Sequence, residues 1–174
     1  VCQNSEYAYL YALDIDKEPR EDTREAACQN PFFAYLYAKD IDNGPREDTR
    51  EIACQDPRCA YFYALDVDKA PREDTRKVAC RISEFAYFYA KDVDQCSMEN
   101  TRKAVCNGLC RVTYYLAGNI NYDGYMQENS YFAYLYAKEI DKGFHEDTYN
   151  AVLDTEYEEK YNEFLNNLIK EEKI

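Results

Sequence analysis

Residues 34–54 read AYLYAKDIDNGPREDTREIAC, and nearly the same string stands at 8–28 as AYLYALDIDKEPREDTREAAC. It returns at 60–80 as AYFYALDVDKAPREDTRKVAC and at 86–106 as AYFYAKDVDQCSMENTRKAVC, each copy 26 residues after the last. A fifth, partial copy restarts at Ala133 with AYLYAKEIDKGFHEDT. A fixed period of this length is the mark of an array in which each unit buries its apolar face on its neighbours.

Within residues 31–56, positions set 100° apart place Ala34, Ala38 and Ile41, with Tyr37 beside them, on one helical face. Leu36 and Phe32 or Phe33 widen the apolar arc, and Tyr35, Lys39 and Asp42 fall on the remaining side. A second helix is expected to open at Pro45, whose missing N–H suits a first helical position. Glu47 and Asp48 follow where carboxylates favour the positive end of the helix dipole, and Thr49, Ile52 and Ala53 make the apolar stripe. Asn30-Pro31 and Asp56-Pro57 mark unit boundaries, because the residue before proline is pushed out of helix. The expected fold is therefore all-α: a right-handed α-solenoid of stacked short helical hairpins with a C-terminal capping helix.

On this reading residues 1–4 (VCQN) are the tail of an incomplete upstream repeat, cut or processed within it, and 5–108 are four helical-hairpin repeats. Residues 109–129 are a degenerate repeat with an expected kink and a turn at Asp123-Gly124, and 130–155 are the fifth recognisable repeat. Residues 156–174 form the cap, with Tyr157, Tyr161, Phe164, Leu165, Leu168 and Ile169 on one stripe.

The chain of 174 residues has a net charge of −13, with 19 Tyr and no Trp. That charge argues against direct binding to nucleic-acid phosphates or an anionic membrane and favours a basic or neutral protein partner, such as a basic nucleic-acid-binding protein. The acidity is uneven: residues 5–30 carry −4, 31–56 carry −3, 57–82 carry +2 and 83–108 carry −1. Without an apolar run of membrane length or a signal-like opening, the expectation is a cytoplasmic protein.

Cys2, Cys28, Cys54, Cys80 and Cys106 share one phase of the repeat. Stacked helices lie roughly 8–10 Å apart, beyond the Cα separation of about 7 Å that a disulfide tolerates, so neighbouring ladder cysteines are expected not to pair. They read as small buried hydrophobes, while a bridge from Cys59 or Cys96 to a ladder position stays open. Cys106 and Cys110 without a CxxC, and with the one histidine, His145, remote in sequence, make a poor metal site.

The Asp pairs Asp14/Asp16, Asp40/Asp42, Asp66/Asp68 and Asp92/Asp94 point apart if helical. One carboxylate of each is expected to pair with Arg24, Arg50, Arg76 or Arg102 and the other to be solvated. Asn119-x-Asn121-x-Asp123-Gly124 opens like a calcium loop, but Ser130 stands where its bidentate Glu is needed. No nucleophile–base arrangement or phosphate-binding loop is present, so neither an enzyme nor a cofactor is expected.

The candidate binding stripe is geometric. Tyr9, Tyr35, Tyr61, Tyr87 and Tyr134 share one phase, and Asp16, Asp42, Asp68, Asp94 and Asp141 lie seven residues on, near the same helical side. Exposed, these rows would suit a basic or extended partner; otherwise each Tyr packs between helices and each Asp solvates or caps.

TREAACQNP (23–31) and TREIACQDP (49–57) are similar to the RxAVAxNP-like segment of leucine-rich-variant repeats, and the two-helix period resembles that family and HEAT-like solenoids. The whole unit resembles short Tyr- and Ala-rich helical repeats of bacteriophage and bacterial proteins. The resemblance implies an α-solenoid and brings no activity or binding residues. The leading expectation is a non-enzymatic acidic scaffold for protein–protein interaction. The alternatives are a nucleic-acid-mimicking inhibitor of a nuclease or phage-defence enzyme, and a structural protein that self-associates end to end.

Overall fold

The computed structural model describes residues 4–108 and 126–171, without the side chains of 126–128, and every regular element in it is helical. The contacts divide into two compact units, Val1–Ala79 and Cys80–Ile174. In the first, α1 (Ser5–Tyr11), α3 (Pro31–Asp40) and α5 (Pro57–Phe62) pack on α2 (Glu21–Ala27), α4 (Glu47–Ala53) and α6 (Glu73–Ala79), and α3 also touches α1, α2 and α5. In the second, α7 (Ser83–Phe88) packs on α8 (Glu99–Asn107) and α9 (Met126–Tyr136) on α10 (Glu146–Val152), with α9 also against α7 and α8. The last helix, α11 (Glu158–Glu171), lies against α10.

Alanines let these short helices approach closely. Ala8, Ala34, Ala60, Ala86 and Ala133 are fully buried, as are Ala12, Ala38, Ala64, Ala90 and Ala137 one turn later. The expected face of Ala34, Tyr37, Ala38 and Ile41 is buried, but so is Tyr35 from the side expected to be open. At most first helices the last turn widens to π geometry, over Ala12–Asp16, Tyr63–Asp68, Tyr89–Asp94 and Ala137–Asp141. A left-handed residue then ends the helix and reverses the chain: Lys17, Asn43, Lys69, Gln95 and Lys142 all have φ between 52° and 54°.

The proline-bounded starts divide into two kinds. Pro31 and Pro57 are at the first helical turn, and Asn30 and Asp56 cap by accepting the N–H of Phe32 (2.9 Å) and of Cys59 (3.0 Å). Pro45 is not at a first helical position, contrary to the sequence expectation: α4 starts at Glu47 and its N-cap is Arg46, whose side chain makes no capping bond. The cap is supplied from the next repeat. The Tyr63 hydroxyl accepts the Arg46 N–H at 3.0 Å and lies 3.0 Å from the Arg46 carbonyl and 2.9 Å from Thr49 Oγ1.

Both Tyr63 and Thr49 are fully buried, so removing the Tyr63 hydroxyl takes the acceptor from the Arg46 N–H and leaves Thr49 only its bond to the Arg46 carbonyl, 3.2 Å away. We expect Tyr63→Phe to lower stability by about 1–3 kcal/mol. Urea unfolding checks this, with Tyr7→Phe, at a position 64% exposed, expected to leave the midpoint in place.

Candidate functional site

The Tyr63 arrangement recurs. In the first unit Tyr37 sits 2.8 Å from Thr23 Oγ1 and accepts the Arg20 N–H at 3.0 Å. In the second, Tyr136 sits 2.9 Å from Thr101 and accepts the Met98 N–H at 3.0 Å, and Tyr161 of α11 sits 2.9 Å from Thr148 and 3.3 Å from the His145 nitrogen. Beside each of the first three lies an arginine–aspartate pair: Arg24 on Asp42 (2.6 Å), Arg50 on Asp68 (2.7 Å) and Arg102 on Asp141 (2.8 Å). Each pair has a second bond from Nε, so the guanidinium grips both carboxylate oxygens. The same guanidinium lies 5.5–5.9 Å from the centroid of Tyr37, Tyr63 or Tyr136.

A second link uses the candidate tyrosines. Tyr9 donates to Asp40 at 2.8 Å, Tyr35 to Asp66 at 2.5 Å and Tyr87 to Glu139 at 2.7 Å. Lys39 bridges Tyr35 (3.1 Å) and Asp66 (2.8 Å), and Lys91 bridges Tyr87 (3.2 Å) and Glu139 (2.7 Å). Leu13 holds the corresponding place in the first copy, so Tyr9–Asp40 is the plain version of the link.

These contacts decide where the sequence candidates stand. Tyr35, Tyr61 and Tyr87 are at most 7% exposed, so the tyrosine row is not an open stripe. Tyr9 and Tyr134 are half-buried, and Tyr134 stacks on Tyr157 with ring centroids 6.2 Å apart. Asp42, Asp68 and Asp141 are turned to arginines of the helix before them, away from the tyrosines of their own row. Asp16 has no such arginine among the described residues, and Asp94 is half-buried. The other carboxylates of the Asp pairs, Asp40 and Asp66, are not simply solvated as expected, because each accepts a tyrosine hydroxyl.

Sequence reasoning missed the threonines, placed on an apolar stripe without a polar role, and the lysines at Lys39 and Lys91. A usable signal existed. Thr23, Thr49, Thr75, Thr101 and Thr148 keep an aliphatic hydroxyl in phase through all five copies, in a helix to which threonine is poorly suited.

Across the degenerate segment the spacing changes and the contacts do not. The Thr–Tyr separation grows from 14 residues to 35, Arg–Asp from 18 to 39, and Tyr–acid from 31 to 52. Each is 21 longer, and the geometry of the bonds is preserved. The expected kink, the Asp123-Gly124 turn, the Asn119 loop and Cys110 lie outside the described residues.

The chemistry of these groups is quiet. Cys28, Cys54, Cys59, Cys80, Cys96 and Cys106 are free thiols. Burial is the main cause that pushes the thiols of Cys28 and Cys54 up to about 11 and those of Cys59 and Cys106 to about 12, so they stay protonated at neutral pH. His145 Nε2 lies 2.9 Å from Arg102 and serves this junction. No group of acidic, histidine and cysteine side chains suited to a metal occurs among the described residues, and no helix among them is long and apolar enough to cross a membrane. No family model, curated protein or solved structure matches the chain.

Three predictions follow from the ionisation and burial of these groups. Burial first, and the carboxylate at the other end of the bond second, raise Tyr9, Tyr35 and Tyr87 to about 12. Their link is intact below the ordinary tyrosine value of about 10 and is lost as pH climbs through about 12. Carbon-13 tyrosine NMR should show these three ionising about two units after a free tyrosine. At the acid end, Asp66 is held below the usual carboxylate range because Lys39 and the Tyr35 hydroxyl outweigh the opposing effect of burial. That stability is present above about pH 4 and disappears as pH falls through the lowered value. Lys39→Met should flatten the acid limb of urea midpoint against pH. In alkylation at pH 7.5, Cys28, Cys54, Cys59 and Cys106 should be modified at least about tenfold more slowly than exposed Cys96 until urea unfolds the chain, as mass spectrometry would read.

Proposed function

We propose that this chain is a non-enzymatic helical-repeat scaffold, a solenoid of stacked hairpins, that binds a basic segment of a partner protein along the outer faces of α2 and α4. The observation that carries this reading is the division of labour among the repeated polar residues. The repeated threonines and tyrosines, Arg24 and Arg50, and Asp40, Asp42, Asp66 and Asp68 are committed to links between helices, whereas Glu21, Glu25, Glu47 and Glu51 recur at exposed positions, with Glu47 also reaching Arg50 at 2.7 Å. Arg20 and Arg46 stand nearby, but each is engaged by the aspartate two residues on, Asp22 at 3.1 Å and Asp48 at 3.0 Å. The ridge therefore keeps its negative charge over two successive hairpins. At α6 it is neutralised, since Lys77 takes the place of Glu25 and Glu51 beside Glu73.

Carboxylates on exposed helix faces attract a basic partner at long range and are screened by salt. Protonated thiols and hydroxyls held by carboxylates further favour a binding role over a reactive one. The experiment is affinity recovery of partners with the intact chain and with the variant Glu21→Gln, Glu25→Gln, Glu47→Gln, Glu51→Gln. The helical circular dichroism of the variant should match the parent. A partner that the parent retains and the variant loses, and that raising salt to 0.5 M releases, is expected. Equal recovery by both chains would sink the reading.

A further inference from the structure

In the first unit, α3 and α5 present one and the same face to the helix before them. Tyr37 and Asp42 meet Thr23 and Arg24 of α2, and Tyr63 and Asp68 meet Thr49 and Arg50 of α4. The α1 hairpin has the same pair in Tyr11 and Asp16, and among the described residues neither finds a threonine or a gripping arginine. Tyr11 is 50% exposed where Tyr37 and Tyr63 are fully buried. The Asp16 side chain is only 9% exposed, yet its buried Oδ2 has no hydrogen-bond partner. Arg20, 3.7 Å away, does not fill that place: Arg46 and Arg72 stand 3.9 and 4.0 Å from Asp42 and Asp68 as well, in addition to Arg24 and Arg50. Around Tyr11, the side chains of Tyr7, Leu10 and Ile15 open an apolar groove of about 690 Å³ edged by Asp14 and Arg20.

A nine-tenths buried carboxylate oxygen without a donor is costly, and a guanidinium is the donor that every completed copy of this face uses. We propose that the face is the seat of a further threonine–arginine helix of the same repeat, lying directly ahead of α1 in the polypeptide. Its threonine hydroxyl meets the Tyr11 hydroxyl, its arginine grips Asp16 over the Tyr11 ring, and its apolar stripe fills the groove. In both completed junctions the covering helix is the one that immediately precedes, α2 for α3 and α4 for α5. A second copy of the chain is a poorer occupant, because Thr23, Thr49, Thr101 and Thr148 already hold tyrosines.

The test extends the full chain by a copy of residues 5–26 placed ahead of Val1, which continues the 26-residue register. In the extended chain Tyr11 should be protected from nitration by tetranitromethane, and Asp16→Asn should reduce the folding equilibrium constant about tenfold or more. In the 174-residue chain Tyr11 should react freely, and Asp16→Asn should leave the constant unchanged or raise it. A second extension, with the threonine and the final arginine of its second helix replaced by valine and methionine, should protect Tyr11 poorly. Equal protection by the two extensions, or an equal effect of Asp16→Asn with and without the extension, would overturn the assignment and leave an undiscriminating apolar patch. Concentration-dependent doubling of the mass of the 174-residue chain, abolished by Tyr11→Glu, would overturn it in favour of a second copy. The acidic ridge of α2 and α4 is untouched by these variants, so its role is decided separately by partner recovery.

Discussion

One hydroxyl does the work on which the rest of the structure depends. A seven-residue helix such as α4 is too short to be stable alone, and its N-cap residue, Arg46, offers no capping side chain. The tyrosine of the following hairpin reaches that end, takes the free N–H, and pairs with the threonine one turn in. The second helices α2, α4 and α8 are thus each finished by the hairpin after them, which makes the helical fold a property of neighbours. The buried arginine–aspartate grip beside it follows the same logic. Arg50 and Asp68 are 7% and 4% exposed, so each is tolerable only because the other is in place, and removing one would be far more damaging than removing both.

Helicity, hairpin period and the buried alanine face were legible in the sequence because they rest on spacing, which a single chain displays. The start of the second helix was misread for a reason also visible in hindsight. Pro45 is compatible with a first helical position, but Arg46 after it is extended: its carbonyl accepts the Arg50 N–H as the first bond of α4, and only the position of Tyr63 decides what meets its own N–H. Local propensity cannot register a cap that arrives 17 residues later.

The candidate rows were less legible still. Tyr35 and Asp42 are neighbours on a helical wheel, yet Tyr35 reaches forward to Asp66 while Asp42 reaches back to Arg24. A wheel shows which side of a helix a residue occupies and says nothing about which neighbour lies on that side. The threonine was the recoverable clue: a hydroxyl kept in phase through five copies, inside a helix that would be better served by alanine.

The junction between α8 and α9 shows how little these links depend on the length of chain between them. Twenty-one additional residues enter the connection, and the tyrosine, arginine and carboxylate meet as they do elsewhere. A lineage built from such parts can therefore gain, lose or interrupt units without redesigning any joint. The pattern of side chains on a hairpin acts as a coupling standard, and it lets the length of chain between two repeats change while the joint between them stays the same.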